Sequence, residues 1–489
     1  MNKKIFIIAL LAVAVYSSLL SFPIDDGLRH VGEAFMPDFI SWGTVYPYSS
    51  FEDLGDYNPW FGYDKLLSLT ACFLKQIPLT ETALKFIFVK TLSFIFLSFF
   101  LYLVLSRSGI ADNIKTKEVF APALIIMLIM LQLPCQRILS IRPFIFGTFF
   151  ILYSIDQKGF FPGLFSSAAL SFLYPYLSWF YTIPVAFAHI IRGSKKFAGG
   201  ILLIIIGFLY LQPLSFWKFQ AALFFSGKIR SLIDDKISEL ASTWQSLLFY
   251  LFLAGFIAIY PRFRARVKKI DYRNLLIIIY LVPSLKYLRY FIDLMLPLLF
   301  VSFGREILYI MFDPFQKLIA DWKNILKNSF RKLSFEKQKQ GLLKTPGDKE
   351  KVSGRSLMPY IIIAYAFITA IFVYQNYEKF SALKKFKADL CEVPAGSLVL
   401  TDFGLQYKMI FVRPDLHIIP SCEIGFPEKE IKDAYIDYQN NGELIALACK
   451  TRANFLVEQK KMYINPEDGR FLKLVKKSDN LKVWKIICP

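Results

Sequence analysis

MNKKIFIIALLAVAVYSSLLSFPIDDGLRHVGEAF, Met1 to Phe35, joins a long apolar run directly to two adjacent aspartates, an arginine, a histidine and a glutamate. Asn2, Lys3 and Lys4 precede the run, which begins at Ile5 and ends near Phe22. A basic start followed by about 18 apolar residues fits a signal peptide or a first transmembrane helix. No A-x-A cleavage site follows, so we read an uncleaved anchor. Either choice puts Asp25 outside the cytoplasm.

The rest of the chain has the same apolar character. Of 489 residues, 55% are hydrophobic and 17% aromatic, and the mean hydropathy is +0.43, well above that of a water-soluble chain of this length. The net charge is +20 and the pI about 9.4. The basic residues gather in short segments between apolar runs and form no RNA- or DNA-binding motif. That pattern argues against a nucleic-acid partner and follows the positive-inside rule.

Apolar windows predict a polytopic α-helical membrane protein of about eleven spans. They lie near Ile5–Phe22, Phe86–Leu105, Val119–Leu133, Pro143–Ile155, Phe160–Leu173, Tyr181–Ile191, Phe197–Leu211, Ser246–Tyr260, Leu275–Leu285, Leu288–Phe303 and Tyr360–Tyr374. Several hold only about 11 to 16 residues, which suits tilted or re-entrant segments. The charges test this topology independently. Expected cytoplasmic loops carry Arg107, Lys115 and Lys117; Arg192, Lys195 and Lys196; and PRFRARVKKIDYR, Pro261 to Arg273, with six basic residues against one aspartate. The largest, residues 304–359, holds twelve basic and six acidic residues. Its first half, MFDPFQKLIADWKNILKNSFRKL, has the pattern of a helix lying on an anionic leaflet. By contrast, the first outside loop, residues 23–80, has eight acidic residues against Arg29, Lys65 and Lys75. Arg137 and Arg142, on a short outside turn, break the rule. An odd number of spans leaves the C-terminus outside.

The transmembrane part is expected over residues 1–374 and a soluble α/β domain over residues 375–489. SLVLTDF, LHIIP, ANFLVEQ and NLKVWKII read as strands, and EKEIKDAYIDYQNN reads as a helix ending at Gly442. Cys391, Cys422, Cys449 and Cys488 all fall here, on the oxidising side, so one or two disulfides are expected with the pairing left open. No P-loop, dinucleotide fingerprint, CxxC pair or internal repeat is present.

Within the first loop, Pro23, Ile24, Asp25 and Asp26 resemble a helix start, with Asp26 as N-cap and Gly27 to Phe35 as a short helix. Arg29 then lies one turn from both aspartates, His30 one turn from Asp26, and Glu33 one turn later. The plain reading is a capped helix with one aspartate paired to Arg29. The loop continues with SWGTVYPYSSFEDLGDYNPWFGYD, Ser41 to Asp64. Its Trp42, Tyr46, Tyr48, Tyr57, Trp60 and Tyr63 suit stacking on a sugar ring or packing at the membrane interface. Loops of this length without regular structure are usually functional. At other outside turns, PSLKYLRYFIDLMLP places Lys286 and Arg289 where charge is costly without a task, and QRILSIRPF places Arg137 and Arg142. LYPYLSWFYTIP, Leu173 to Pro184, lines a groove for lipid or acceptor, or forms an interfacial aromatic belt. His189 and His417 have no partner cluster.

An apolar first span, an aspartate pair just beyond it, a large acidic outside loop, about eleven spans and a soluble outside C-terminal domain resemble the GT-C superfamily of integral-membrane glycosyltransferases. In architecture the resemblance covers the whole chain; in motif it is specific at Ile24 to His30. It implies transfer of a sugar from a polyprenyl-phosphate donor to a glycan, lipid or protein acceptor, usually with inversion, on the outer face of a bacterial cytoplasmic membrane. Asp25 and Asp26 match the first-loop aspartates as catalytic base, or as ligands of a divalent ion such as Mg or Mn. Glu52, Asp53 and Asp56 stand where related enzymes place a second acidic group. Arg289, then Lys286, match the basic residue that meets the donor phosphate, with Arg29 and His30 as further binding residues. A lipid transporter or flippase, and a non-catalytic membrane scaffold, are the competing readings.

Overall fold

The structure, a computed structural model, describes residues 13–19, 26–36, 42–48, 58–108, 131–225, 271–304, 378–401, 403–419, 429–459, 467–478 and 481–488, together with residues 11, 374 and 376. They are mostly helical, with a small sheet near the C-terminus. Helix α1 (13–19) is followed by α2 (Asp26–Ala34), the one-turn α3 (Trp42–Val45), α4 (Phe61–Leu74) and the long α5 (Glu81–Ser108). After these come α6 (Gln132–Leu139), α7 (Ile145–Ser154), α8 (Phe160–Leu173), α9 (Ser178–Arg192), α10 (Lys195–Tyr210) and α11 (Leu214–Phe225). Helix α12 (Tyr272–Lys286) leads into α13 (288–304), whose second turn is a π-helix over Phe291–Met295.

Among the described residues, α5 is the one helix long and apolar enough to cross a membrane. At 28 residues and about 1.5 Å per residue it is roughly 42 Å long, more than a hydrocarbon core of about 30 Å. Ile145–Ser154, Phe160–Leu173 and Tyr272–Leu285 are apolar but shorter. The segments expected to span within 86–105, 143–155, 160–173, 181–191, 197–211, 275–285 and 288–303 are helical over most of their length. Those at 5–22, 119–133, 246–260 and 360–374 lie wholly or in good part outside the described residues, as does the basic segment 305–359.

Small residues set how closely these helices approach. Helix α8 crosses α10 where a Cβ on Gly163 would fall 2.2 Å from the Phe197 carbonyl oxygen and one on Gly200 2.3 Å from that of Phe160. Such backbone-to-backbone contact needs a residue without a side chain at the crossing. Lys90 of α5 donates to the carbonyls of Ser18 and Leu19 at the end of α1 and to Asn376, which also bonds Leu19. Lys90 of α5 therefore ties the end of α1 to Asn376.

Residues 378–389 form α14, which enters a five-stranded sheet of order β2-β1-β3-β5-β4. β1 (Leu398–Thr401) pairs in parallel with β2 (His417–Ile419) and β3 (Phe455–Glu458). The parallel connections are helical, as crossovers require: α15 (Phe403–Val412) between β1 and β2, and α16 (Lys429–Asn441) with α17 (Leu444–Thr451) between β2 and β3. Every residue of β3 is buried, the pattern of a strand covered on both faces. β5 (Lys482–Ile486) and the outer β4 (Leu472–Lys477) continue antiparallel. The sequence LKLVKK suits β4 because edge lysines discourage further pairing. Gly442, with φ +73°, ends α16 at the position expected. Arg413 donates to the carbonyls of Leu390 and Val393 and pairs with Asp415 at 2.7 Å. Burial pushes the Asp415 carboxyl up, but the Arg413 hydrogen bond and charge outweigh it and hold the group below its usual value.

Of the cysteines expected to pair, Cys449 and Cys488 form a disulfide that ties α17 to the end of the chain. Cys391 is free and exposed, and Cys422 lies outside the described residues. Closing a loop across a sequence separation of 39 is worth about 4 kcal/mol in the chain-entropy account. Replacing both cysteines by serine in the full chain is therefore expected to lower the thermal midpoint by several degrees, and an unchanged midpoint would show that the bond contributes nothing.

Candidate functional site

Helix α2 begins at Asp26, one residue earlier than the capping pattern places it. It is buried along its length from Gly27 to Val31. Two glycines make that burial possible. A Cβ on Gly27 would lie 2.0 Å from the Ser140 carbonyl oxygen, and one on Gly32 would lie 2.3 Å from that of Ile410. Helix α2 is thus held between the turn after α6 and helix α15 of the C-terminal domain. Lys85 of α5 reinforces the second contact: it is 2% exposed, donates to the Phe411 carbonyl at 2.7 Å, and pairs with Glu81 at 2.6 Å.

Inside this wedge, Arg29 and His30 are both 0% exposed and Asp64 only 5%. Buried charges persist only with partners. His30 Nδ1 and Asp64 Oδ1 share a hydrogen bond at 2.6 Å, and Asn58 Nδ2 donates to Asp64 Oδ2 at 2.8 Å. The Trp60 backbone N–H donates to Asn58 Oδ1 at 2.7 Å, fixing which end of that amide faces Asp64. The imidazole meets the rings of Trp60 and Tyr63 edge-on at 5.4 and 5.3 Å. The Arg29 guanidinium lies over Trp60 at 4.8 Å and Tyr46 at 5.6 Å. Of the aromatics expected to face a sugar, Tyr46, Trp60 and Tyr63 are instead buried as the walls around these charges. Their polar edges and faces substitute for water there.

The turn on the other side of α2 carries the first of the expected outside cations. Ile141 has φ +50°, a strained conformation for a β-branched residue and the kind that collects at functional sites. Its carbonyl accepts the Tyr63 hydroxyl at 2.5 Å. Arg142 sits half-buried beside it. Arg137, one turn earlier, makes a two-pronged pair with Asp293 at 3.0 and 3.2 Å. Asp293 stands in the π-helical turn of α13, whose carbonyl at that residue accepts the Thr148 hydroxyl at 3.0 Å. The ring of Phe144 is shared by Arg137 at 4.4 Å and Arg289 at 5.8 Å. Two cations read from sequence as separate sites therefore meet on one ring, with Asp293 between them in charge.

An apolar groove of about 710 Å³ opens between α5, α7 and α8, lined by Phe96, Phe99, Phe146, Phe149, Phe161 and Phe165 among others. Phe146 also meets Tyr63 edge-on at 5.6 Å. Asp25, Glu52, Asp53 and Asp56 lie outside the described residues, as do the side chains of Asp26 and Lys286, which begins α2 and closes α12 respectively. Among the described residues no three His, Cys, Asp or Glu side chains gather to hold a metal. His189 donates to the Ser154 carbonyl at 3.1 Å and accepts from the Ser194 N–H at 3.2 Å; His417 bonds the Thr44 carbonyl at 2.5 Å. Both are structural contacts away from α2.

Asp64, Asn58 and Asp293 carry no local motif. Asp64 is one of several loop acids and Asp293 one charge in FIDLM. A charge inside an apolar stretch was the available signal for Asp293. No protein-family model matches the chain, and no curated protein matches it.

Breaking a buried ion pair strands its remaining charge at a cost of about 3–5 kcal/mol, whereas removing both members is far milder. Arg137→Ala is therefore expected to destabilise the full chain sharply. Adding Asp293→Ala is expected to restore most of the thermal midpoint. A double variant no more stable than the single would show that the pair is not coupled.

Proposed function

We propose that the chain is a multi-pass membrane glycosyltransferase, transferring a sugar from a polyprenyl-phosphate donor to an acceptor on the extracytoplasmic face. The observation that carries this reading is the close approach of the start of α2 to the turn after α6, with two arginines gathered on one ring beyond it. Asp26 opens the helix, Gly27 touches the turn that bears Arg137 and Arg142, and Arg289 shares the Phe144 ring with Arg137. A transfer from a lipid phosphate needs these three elements together: a group to receive the acceptor hydroxyl, cations for the departing phosphate, and apolar space for the lipid.

Membrane embedding is supported by the outer faces of the helices. Ile87 (41%), Phe172 (53%), Ile206 (67%) and Val282 (72%) are exposed on α5, α8, α10 and α12, apolar surface of the kind that marks a membrane or partner contact. The expected eleven-span topology and the extracytoplasmic C-terminal domain belong to this proposal, and the Cys449–Cys488 bond suits an oxidising compartment.

In this reading Asp25 or Asp26 takes the proton of the acceptor hydroxyl, its oxygen attacks the anomeric carbon, and the bond from that carbon to the phosphate oxygen breaks. The phosphate leaves with the electron pair, its charge met by Arg289, Lys286 and Arg137. A divalent ion held by Asp25 and Asp26 would supply further charge at the leaving phosphate. The groove beside Phe146 takes the isoprenoid chain.

In native membranes, Asp25→Asn and Asp26→Asn variants that insert normally are expected to lower glycan transfer, the more important of the two by about 10²–10⁴-fold. Full transfer by both, or a wild type that alters no glycan or glycolipid, would end this reading. Arg289→Ala is expected to raise the donor KM by about tenfold or more, in line with ~1.5–3 kcal/mol for a charge-assisted hydrogen bond; an unchanged donor dependence removes Arg289 from the phosphate site.

A further inference from the structure

We infer that α4 lies on the membrane surface, with one face set into the phospholipid leaflet at the Glu81 end of α5, the extracytoplasmic leaflet in the expected topology. This rests on the membrane reading above and not on the sugar chemistry. The exposed face is the first observation. Leu66, Leu69 and Phe73 follow one another at helical spacing, with Leu69 54% and Phe73 71% exposed. Phe61 at the start of the helix, and Ile77 and Leu79 in the turn beyond it, extend the row. Single exposed apolar side chains are ordinary, but a contiguous row marks a contact surface. The opposite face, with Tyr63, Asp64, Leu67 and Ala71, is buried.

Charge and position name what covers the row. Between Phe61 and Thr80 the exposed ionic side chains are Lys65 and Lys75, and the one acid, Asp64, is buried and bonded to His30. Leucine and phenylalanine edged by lysine match acyl chains bounded by phosphates, because a lysine stem lies along apolar surface while its ammonium reaches the headgroups. The N-terminal end of α4 is held at the C-terminal end of α8. There a Cβ on Gly62 would fall 2.0 Å from the Phe172 carbonyl oxygen, and the Phe61 and Phe172 rings meet edge-on at 6.1 Å. The other end leads through residues 75–80 into α5, and α4 packs on α2 and α8 without turning back along α5. Helix α4 thus bridges the ends of two apolar helices that the expected topology puts on one side of the membrane. Its row continues the outer faces of both, through Phe172 on α8 and Ile87 on α5. The buried face of α4 holds α2 through Tyr63 and Asp64, so the leaflet that seats α4 also fixes the depth of α2.

Nitroxide labels in the full chain, reconstituted into vesicles of phosphatidylcholine and phosphatidylglycerol, test this. Leu69→Cys and Phe73→Cys are each labelled with Cys72, Cys391 and Cys422 changed to serine. Cys72, free and exposed on α4, is a third label site that needs no change in the helix, and Ile95→Cys on α5 reports the membrane itself. Expected are labels on α4 that meet oxygen in preference to a water-soluble nickel chelate, at about 5–10 Å below the phosphates, with the Ile95 label deeper. A deep Ile95 label beside α4 labels that the chelate reaches as in water overturns the inference and leaves the membrane reading standing. Immobile α4 labels reached by neither reagent mean that protein, a second copy or a partner, covers the face, and also overturn it. An Ile95 label open to the chelate removes the membrane reading and this inference with it.

Discussion

The constraint on which the rest of the structure depends is that α2 is buried while carrying charge. A short helix with arginine and histidine at full burial must find partners or unfold its neighbours, since an unpaired buried charge costs several kcal/mol. The loop supplies them from a distance: Asp64, held in turn by Asn58, closes on His30, and Trp60 and Tyr46 close on Arg29. The orientation of the Asn58 amide toward Asp64 is set by a backbone N–H at Trp60. Once α2 is fixed, Gly27 and Gly32 let two other backbones touch it, so the turn after α6 and the C-terminal domain take their places from the same helix.

This arrangement joins two chemically different halves. On one side are apolar helices with greasy outer faces and a phenylalanine-lined groove. On the other is a disulfide-tied α/β domain docked through α15 and Lys85. Helix α2 is the seam between them, and the arginines of the 137–142 turn and of α13 meet beside it. The strained Ile141 backbone lies at that meeting point. Strain is tolerated where surrounding contacts over-determine the chain, and here the Tyr63 hydroxyl and α2 both press on the turn.

Local pattern was a good guide to what is local. The strands β1, β2, β3 and β5 and the stop at Gly442 follow from alternation and glycine chemistry, and a helix forms at DGLRH with Asp26 as its first residue rather than its cap. The outer β4 was not read, because LKLVKK is too polar to announce a strand. The C-terminal disulfide was expected in kind but not in pairing, since connectivity depends on the folded sheet. The His30–Asp64 bond joins residues 34 apart, and the Arg137–Asp293 pair joins residues 156 apart; neither separation leaves a trace in composition or spacing. The loop aromatics show the opposite failing. Their identity left stacking on a sugar and packing at the membrane interface both open, and burial places Tyr46, Trp60 and Tyr63 around charge. Apolar windows marked where helices form, but α5 alone among the described helices has the length of a full span.

The account claims that acid, cation and groove serve one lipid-linked phosphate. Native mass spectrometry of the full chain, purified gently from its own membrane, addresses that claim most directly because it identifies what the site retains without presuming the sugar or the acceptor. The account predicts a polyprenyl phosphate, or its sugar conjugate, bound at about one per chain. A chain that carries only bulk phospholipid would contradict it.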